Sequence, residues 1–119
     1  MKTVVLDTDD PSGMAEFYTA LLGWQITWAD EEWITIRGSG DVAIAFQLVL
    51  NYRAPSWPDD AVPQQFHIDF GVRDLPAAVA HAESIGARPV RNPVEAQSFW
   101  VFLDPSGHPF CLTMIGGGG

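Results

Sequence analysis

Apolar and polar residues alternate along Thr3-Val4-Val5-Leu6-Asp7, and a period of two predicts a β-strand. Asp10-Pro11 comes next, an N-cap acceptor followed by a residue whose fixed φ suits a first helical turn, so a helix is expected to begin there. Met14, Phe17, Tyr18, Leu21 and Leu22 recur at helical spacing on one face, and Gly23 can take the left-handed conformation that ends a helix. That apolar face is expected to cover a sheet. Three β-like runs follow, Trp24 to Trp28, Trp33 to Arg37 and Val42 to Val49, separated by Ala29-Asp30-Glu31 and by Gly38-Ser39-Gly40, which predicts two hairpins. From Asn51 to Pro63 the chain carries Pro55, Pro58 and Pro63 with Asp59-Asp60. It is expected to be a linker or a loop over a pocket, since prolines exclude a central strand and a regular helix.

The plan then repeats. Gln65 to Val72 reads as a strand, Asp74 as a helix cap, Leu75, Val79, Ala82 and Ile85 as an apolar stripe and Gly86 as the stop. Strands are expected near Arg88 to Val90, Ser98 to Leu103 and Pro109 to Met114. Adding 64 to the first-half numbers carries Asp10 onto Asp74 and Phe46-Gln47-Leu48 onto Phe110-Cys111-Leu112, and brings Gly23 within one residue of Gly86. Each half is a βαβββ unit. The expected organisation is one domain over residues 1–115, with a first module at about 1–50, a Pro-rich linker at 51–63, a second module at about 64–115 and a glycine tail at 116–119.

Composition narrows the function classes. At 119 residues and 47% hydrophobic content, with seven Phe, five Trp and two Tyr, the chain has ample material for one packed core. No run approaches the roughly 18 apolar residues of a membrane span, and Met1-Lys2-Thr3-Val4 lacks the apolar stretch of a signal peptide, so a cytoplasmic protein with no membrane partner is expected. The single Cys111 excludes an internal disulfide. A formal charge of −9 repels phosphates and argues against a nucleic-acid partner; Glu31-Glu32 and Asp59-Asp60 read as solvated turns, so solubility is the simpler meaning of that charge.

Three segments stand out: Phe17-Tyr18-Thr19-Ala20-Leu21-Leu22-Gly23-Trp24, His67-Ile68-Asp69-Phe70-Gly71-Val72-Arg73-Asp74, and Leu103-Asp104-Pro105-Ser106-Gly107-His108-Pro109-Phe110. In this order, on a duplicated frame, they resemble the vicinal-oxygen-chelate superfamily, which takes in glyoxalases, bleomycin-resistance proteins and extradiol dioxygenases. Within it the likeness is greatest to short glyoxalase-like proteins whose last strand reads Phe-Cys-Leu. The resemblance implies an α+β fold of two tandem βαβββ modules. Their eight strands would form an incompletely closed, barrel-like sheet with helices outside and a small-molecule cup on the concave side. It also implies a divalent metal at the floor of the cup, held by His or Gln, Glu, His and Glu from the first and last strands of each half, acting as a Lewis acid on a substrate's vicinal oxygens.

Carried onto this chain, those four places fall on Thr3, Gln47, His67 and Cys111. Alternation turns them away from the helices. One imidazole, an amide, a hydroxyl and a thiol are a poor set for magnesium or manganese, so the expectation is no cofactor. Zinc or another soft ion is the alternative, on a displaced site of His67, Asp69 and Cys111, with Asp7 as a further carboxylate on the cup side.

The candidate ligand-binding residues are Gln47, His67, Asp69 and Cys111, with Trp33 and Trp100 as walls and Trp57 as a lid. His67 and Asp69 are the catalytic candidates if the protein is an enzyme. The structural alternatives stand beside these: His67 as a histidine between strands, Asp69 as a strand-edge acceptor, Cys111 as a small buried hydrophobe, Trp24 as core. His81, His108 and the Asp104-Pro105-Ser106-Gly107 turn are assigned no chemistry. The leading expectation is a small-molecule-binding protein for an aromatic ligand, of sequestering or resistance type, acting as a homodimer. A metal-dependent lyase or isomerase of glyoxalase type using His67 and a non-catalytic dimerisation module are the other two readings.

Overall fold

The computed structural model describes residues 2–55, 67–90 and 99–115. The chain divides into two compact units at Arg53 and Ala54. In the first, β1 (Lys2–Thr8), α1 (Pro11–Leu22), β2 (Gln25–Ala29), β3 (Trp33–Arg37) and β4 (Val42–Leu48) build a four-stranded sheet in the order β1-β4-β3-β2. β1 runs parallel to β4, and the other neighbours are antiparallel, as two consecutive hairpins require.

α1 starts where its cap chemistry dictates. Asp10 accepts from Gly13 N at 3.1 Å, and Gly23, at φ 70°, closes the helix by donating to Thr19 O at 2.8 Å. The buried side chains Met14, Phe17 and Tyr18 lie on the sheet side, and the Tyr18 ring stacks on Phe46 of β4 at 5.5 Å. Leu6, Ile34, Ile36, Ile44 and Phe46 complete this core, each fully buried side chain worth about 1.5–3 kcal/mol. Asp30 fixes the first hairpin turn, accepting from Glu32 N at 2.8 Å and Trp33 N at 2.9 Å.

The second unit repeats the plan with β5 (Ile68–Val72), α2 (Leu75–Ser84), β6 (Arg88–Pro89), β7 (Phe99–Leu103) and β8 (Pro109–Met114), in the order β5-β8-β7-β6. Asp74 caps α2 by accepting from Ala77 N at 3.1 Å. Leu75, Val79 and Ala82 are its buried stripe, while Ile85 has become the C-cap ahead of Gly86 at φ 105°. Phe70, Phe102 and Phe110 gather on one side of the sheet, with ring centroids 5.7–5.9 Å apart along the row. Asp104 is fully buried in the β7–β8 turn, its Oδ1 accepting from Ser106 N at 2.9 Å and His108 N at 3.0 Å. The α+β class, the two βαβββ modules and their eight strands are therefore present, as two four-stranded sheets. No helix among the described residues is long and apolar enough to cross a membrane.

The ladders refine the internal repeat. In the first sheet Val5 lies opposite Ala45 and Asp7 opposite Gln47; in the second, Asp69 lies opposite Cys111 and Gly71 opposite Thr113. With β1 and β5 aligned by 64 residues, the position in the first repeat equivalent to Cys111 is thus Ala45, and the position in the second repeat equivalent to Gln47 is Thr113. The last strand of the second module has advanced by two residues, which keeps every side chain on its expected face but moves it one pleat along.

Candidate functional site

Strand pairing sorts the second sheet into two faces. Ile68, Phe70, Phe110, Leu112, Trp100 and Phe102 share one, and Asp69, Gly71, Cys111, Thr113 and Val101 share the other. His67 immediately precedes β5, two residues before Asp69, and its Nε2 lies 3.0 Å from Asp69 Oδ1. Both side chains are about one-third exposed, at 33% and 35%. Directly across the ladder, Cys111 is 3% exposed and its thiol is hydrogen-bonded to the Asp69 carboxylate.

Burial, then the charge and the hydrogen bond of Asp69, push the Cys111 thiol up to about 12 from an ordinary 9.0. A neutral thiol donates to a carboxylate, whereas a thiolate beside it meets like charge. At neutral pH Cys111 is therefore a proton donor inside a fold, not a nucleophile. Asp69 accepts from both sides. The donor atoms of His67, Asp69 and Cys111 lie within 4.8 Å of one another, an arrangement able to converge on one cation or on one polar group of a ligand.

In the first sheet Trp33 and Gln47 are ladder partners, Gln47 is also opposite Asp7, and Trp33 Nε1 donates to Thr35 Oγ1 at 2.8 Å. Thr3 pairs with Ala43, four residues along the ladder from the Asp7–Gln47 pair, so Thr3 and Gln47 do not form an adjacent pair as His67 and Cys111 nearly do. Trp100 corrects its expected role as a wall on this side. It lies opposite Leu112 and stacks on Phe102 at 6.2 Å, so it belongs to the aromatic row on the other face. Trp57 lies outside the described residues. Trp24 is half-buried with its indole over Gly38, where any Cβ would collide with the ring.

Two residues of interest escaped the alternation pattern. Thr35, two places from Trp33 on the same strand, is what orients the indole. Trp28, 61% exposed, shares the Thr35 face because a register shift between Ile26 and Trp28 turns it away from the side that simple alternation assigns. Arg37 lies on that face too, with its Nε buried and no hydrogen-bond partner among the described residues.

The metal that the superfamily implies can be tested against these donors. A hard ion at the four inherited places would meet an exposed hydroxyl, an amide, one imidazole and a thiol held protonated, a set that does not fit it. The nitrogen, oxygen and sulfur of His67, Asp69 and Cys111 do fit a zinc-class ion in number and softness.

A family model for a glyoxalase-like domain matches residues 3–113. The chain belongs to that family. This glyoxalase-like chain is 26% identical over 124 residues to the anthracycline biosynthesis protein DauV of Streptomyces sp. (strain C5), a match that takes in 93% of the chain and 45% of that protein. It thus spans about half the length of the curated relative. Among solved structures it is similar to a glyoxalase/bleomycin resistance protein/dioxygenase family enzyme from Burkholderia phytofirmans PsJN, with a TM-score of 0.75, 20% identity and coverage of 95% of this chain and 96% of that one. It is also similar to a bleomycin resistance determinant encoded on the transposon Tn5, with a TM-score of 0.65, 22% identity and 94% of each chain covered. At these identities the structures speak for the fold, which is that of the vicinal-oxygen-chelate superfamily.

Proposed function

We propose that this glyoxalase-like chain binds a small organic molecule with a planar aromatic portion, in a sequestering or resistance-type role, and that it does so without a hard divalent ion. One observation carries the reading: the Asp69 carboxylate is already engaged from two sides, by His67 at 3.0 Å and by the protonated Cys111. Magnesium or manganese would have to break both hydrogen bonds and recruit a thiol, whereas a ligand hydroxyl or carbonyl could join the same network. On the first sheet, taken by itself, Trp33 is pinned by Thr35 and paired with Gln47, and the exposed Trp28 and the unpartnered Arg37 Nε lie on the same face, aromatic and polar surface of a kind that suits a planar ligand. Two similar proteins, a bleomycin resistance determinant and an anthracycline biosynthesis protein, agree with a ligand of this kind.

Thermal unfolding tests it. A planar anthracycline at a hundred times its Kd is expected to stabilise the chain by about 2.7 kcal/mol with chelator present, and Trp33→Ala to weaken binding roughly threefold to tenfold. Binding that disappears on chelation and returns with magnesium or manganese contradicts the reading.

A second reading, a glyoxalase-type lyase or isomerase, draws on the His67–Asp69 pair. An imidazole that donates through Nε2 to a carboxylate presents Nδ1 as a base for a carbon-bound proton. His67, Asp69 and Cys111 would hold the ion, which would supply Lewis acidity towards a substrate oxygen. His67→Ala then removes turnover; retained turnover ends this reading. We further expect a homodimer in a reducing, cytoplasmic setting. β2 is an edge strand, exposed throughout, with Ile26 and Trp28 at its surface. Light scattering should give twice 13.0 kDa, and a single-chain mass at micromolar concentration contradicts it.

A further inference from the structure

We propose that His67, Asp69 and Cys111 form a binding site for one soft divalent ion, zinc being the probe, supplied by the second module alone. This goes beyond ligand binding and does not depend on an organic ligand being present. The inherited scheme spreads donors over both halves of the chain. Here the second half holds three donors of three kinds, already within 4.8 Å of one another. Tetrahedral zinc, with bonds of about 2.0–2.3 Å, separates its donors by roughly 3.3–3.6 Å, so closure requires shifts on the order of 1 Å.

The fold says which donor would move. Asp69 and Cys111 are fixed opposite each other by the β5–β8 ladder. His67 stands just before the strand, with a side chain one-third exposed, and its hydrogen bond to Asp69 at 3.0 Å holds it slightly inside the separation that an ion imposes. An outward turn of the imidazole opens the position. Cys111 is buried while the His67 and Asp69 side chains are about one-third exposed, so an ion held by the three would remain within reach of water or an oxygen of a ligand as its fourth donor. On binding, the thiol S–H bond breaks, sulfur keeps the electron pair as the ligand, and the proton goes to solvent. The advance of β8 by two residues is what places Cys111, and not its neighbour one pleat away, opposite Asp69.

Anaerobic titration of the full chain with Co²⁺, with no organic ligand added, tests this. The expected result is one ion per chain, visible absorption of tetrahedral strength, and a near-ultraviolet thiolate-to-cobalt band, all lost on adding equimolar Zn²⁺. Cys111→Ser should remove the near-ultraviolet band. His67→Ala and Asp69→Asn, changes at partly exposed side chains whose folding is checked by circular dichroism, should each weaken cobalt at least tenfold. Gln47→Ala on the first sheet should leave cobalt affinity within twofold. A folded wild-type chain with no near-ultraviolet band overturns the proposal, as does undiminished affinity in both the His67 and Asp69 variants, or a tenfold loss in the Gln47 variant. None of these failures touches the ligand-binding reading, which is measured under chelation.

Discussion

Cys111 is the residue whose behaviour follows most directly from its surroundings. Buried against a carboxylate, its thiol has a pKa of about 12 and is ionised at pH 8 only about once in 10⁴ molecules, against about a tenth for a thiol at the ordinary 9.0. Alkylation of the native chain at pH 8 should therefore run at least a hundredfold slower than in denaturant, and Asp69→Asn, which leaves the burial and an acceptor oxygen in place but removes the neighbouring negative charge, should speed it. Equal native and denatured rates contradict the burial. The same shift has a stability consequence. The folded state keeps a proton that the unfolded chain loses, so the stabilisation is complete below about pH 9, falls as pH rises, and is lost towards pH 12. The difference in urea stability between wild type and Cys111→Ser should shrink across that window. Alternation alone put His67, Asp69 and Cys111 on one face. The sequence also grouped the three as one displaced site; the direct pairing of Cys111 with Asp69 was not legible, because it depends on which residue of β8 lies opposite Asp69, and that choice is made between strands distant in the sequence.

At the scale of elements, caps and turns were the legible part, since each is chemistry between residues a few places apart. Asp10, Asp74 and Gly23 do what their neighbours predict. Asp104 goes further. Two backbone donors and full burial make its carboxylate the hinge pin of the β7–β8 turn that sets the phase of Cys111. Asp104→Ala is expected to cost about 2–3 kcal/mol in urea unfolding, while Asp104→Asn, which keeps an acceptor oxygen, should recover at least half of that. Equal losses in the two variants would mean that the hydrogen bonds are not the cause. Strand phase was the illegible part. Trp100 could be placed on either face from sequence, and its ladder partner Leu112 decides for the aromatic row. On β2 a bulge between Ile26 and Trp28 breaks the period of two on which any facing argument rests, so the face of Trp28 could not be read from alternation.

Across the whole molecule, duplication made the fold readable, because a weak signal that occurs twice in the same order is no longer weak. The ancestral chemistry was readable only as positions. Of the four places that the resemblance assigns to metal ligands, His67 alone carries a strong one, and Asp69 lies beside it. Under the proposed function, the His67–Asp69–Cys111 network serves recognition of an organic ligand and not hard-metal chemistry. Isothermal titration calorimetry of a planar anthracycline into the chain, with EDTA and then with magnesium or manganese in its place, tests that claim most directly. The account predicts saturable one-to-one heat with EDTA, unchanged within twofold by either ion. Heat that appears only when magnesium or manganese is supplied contradicts it.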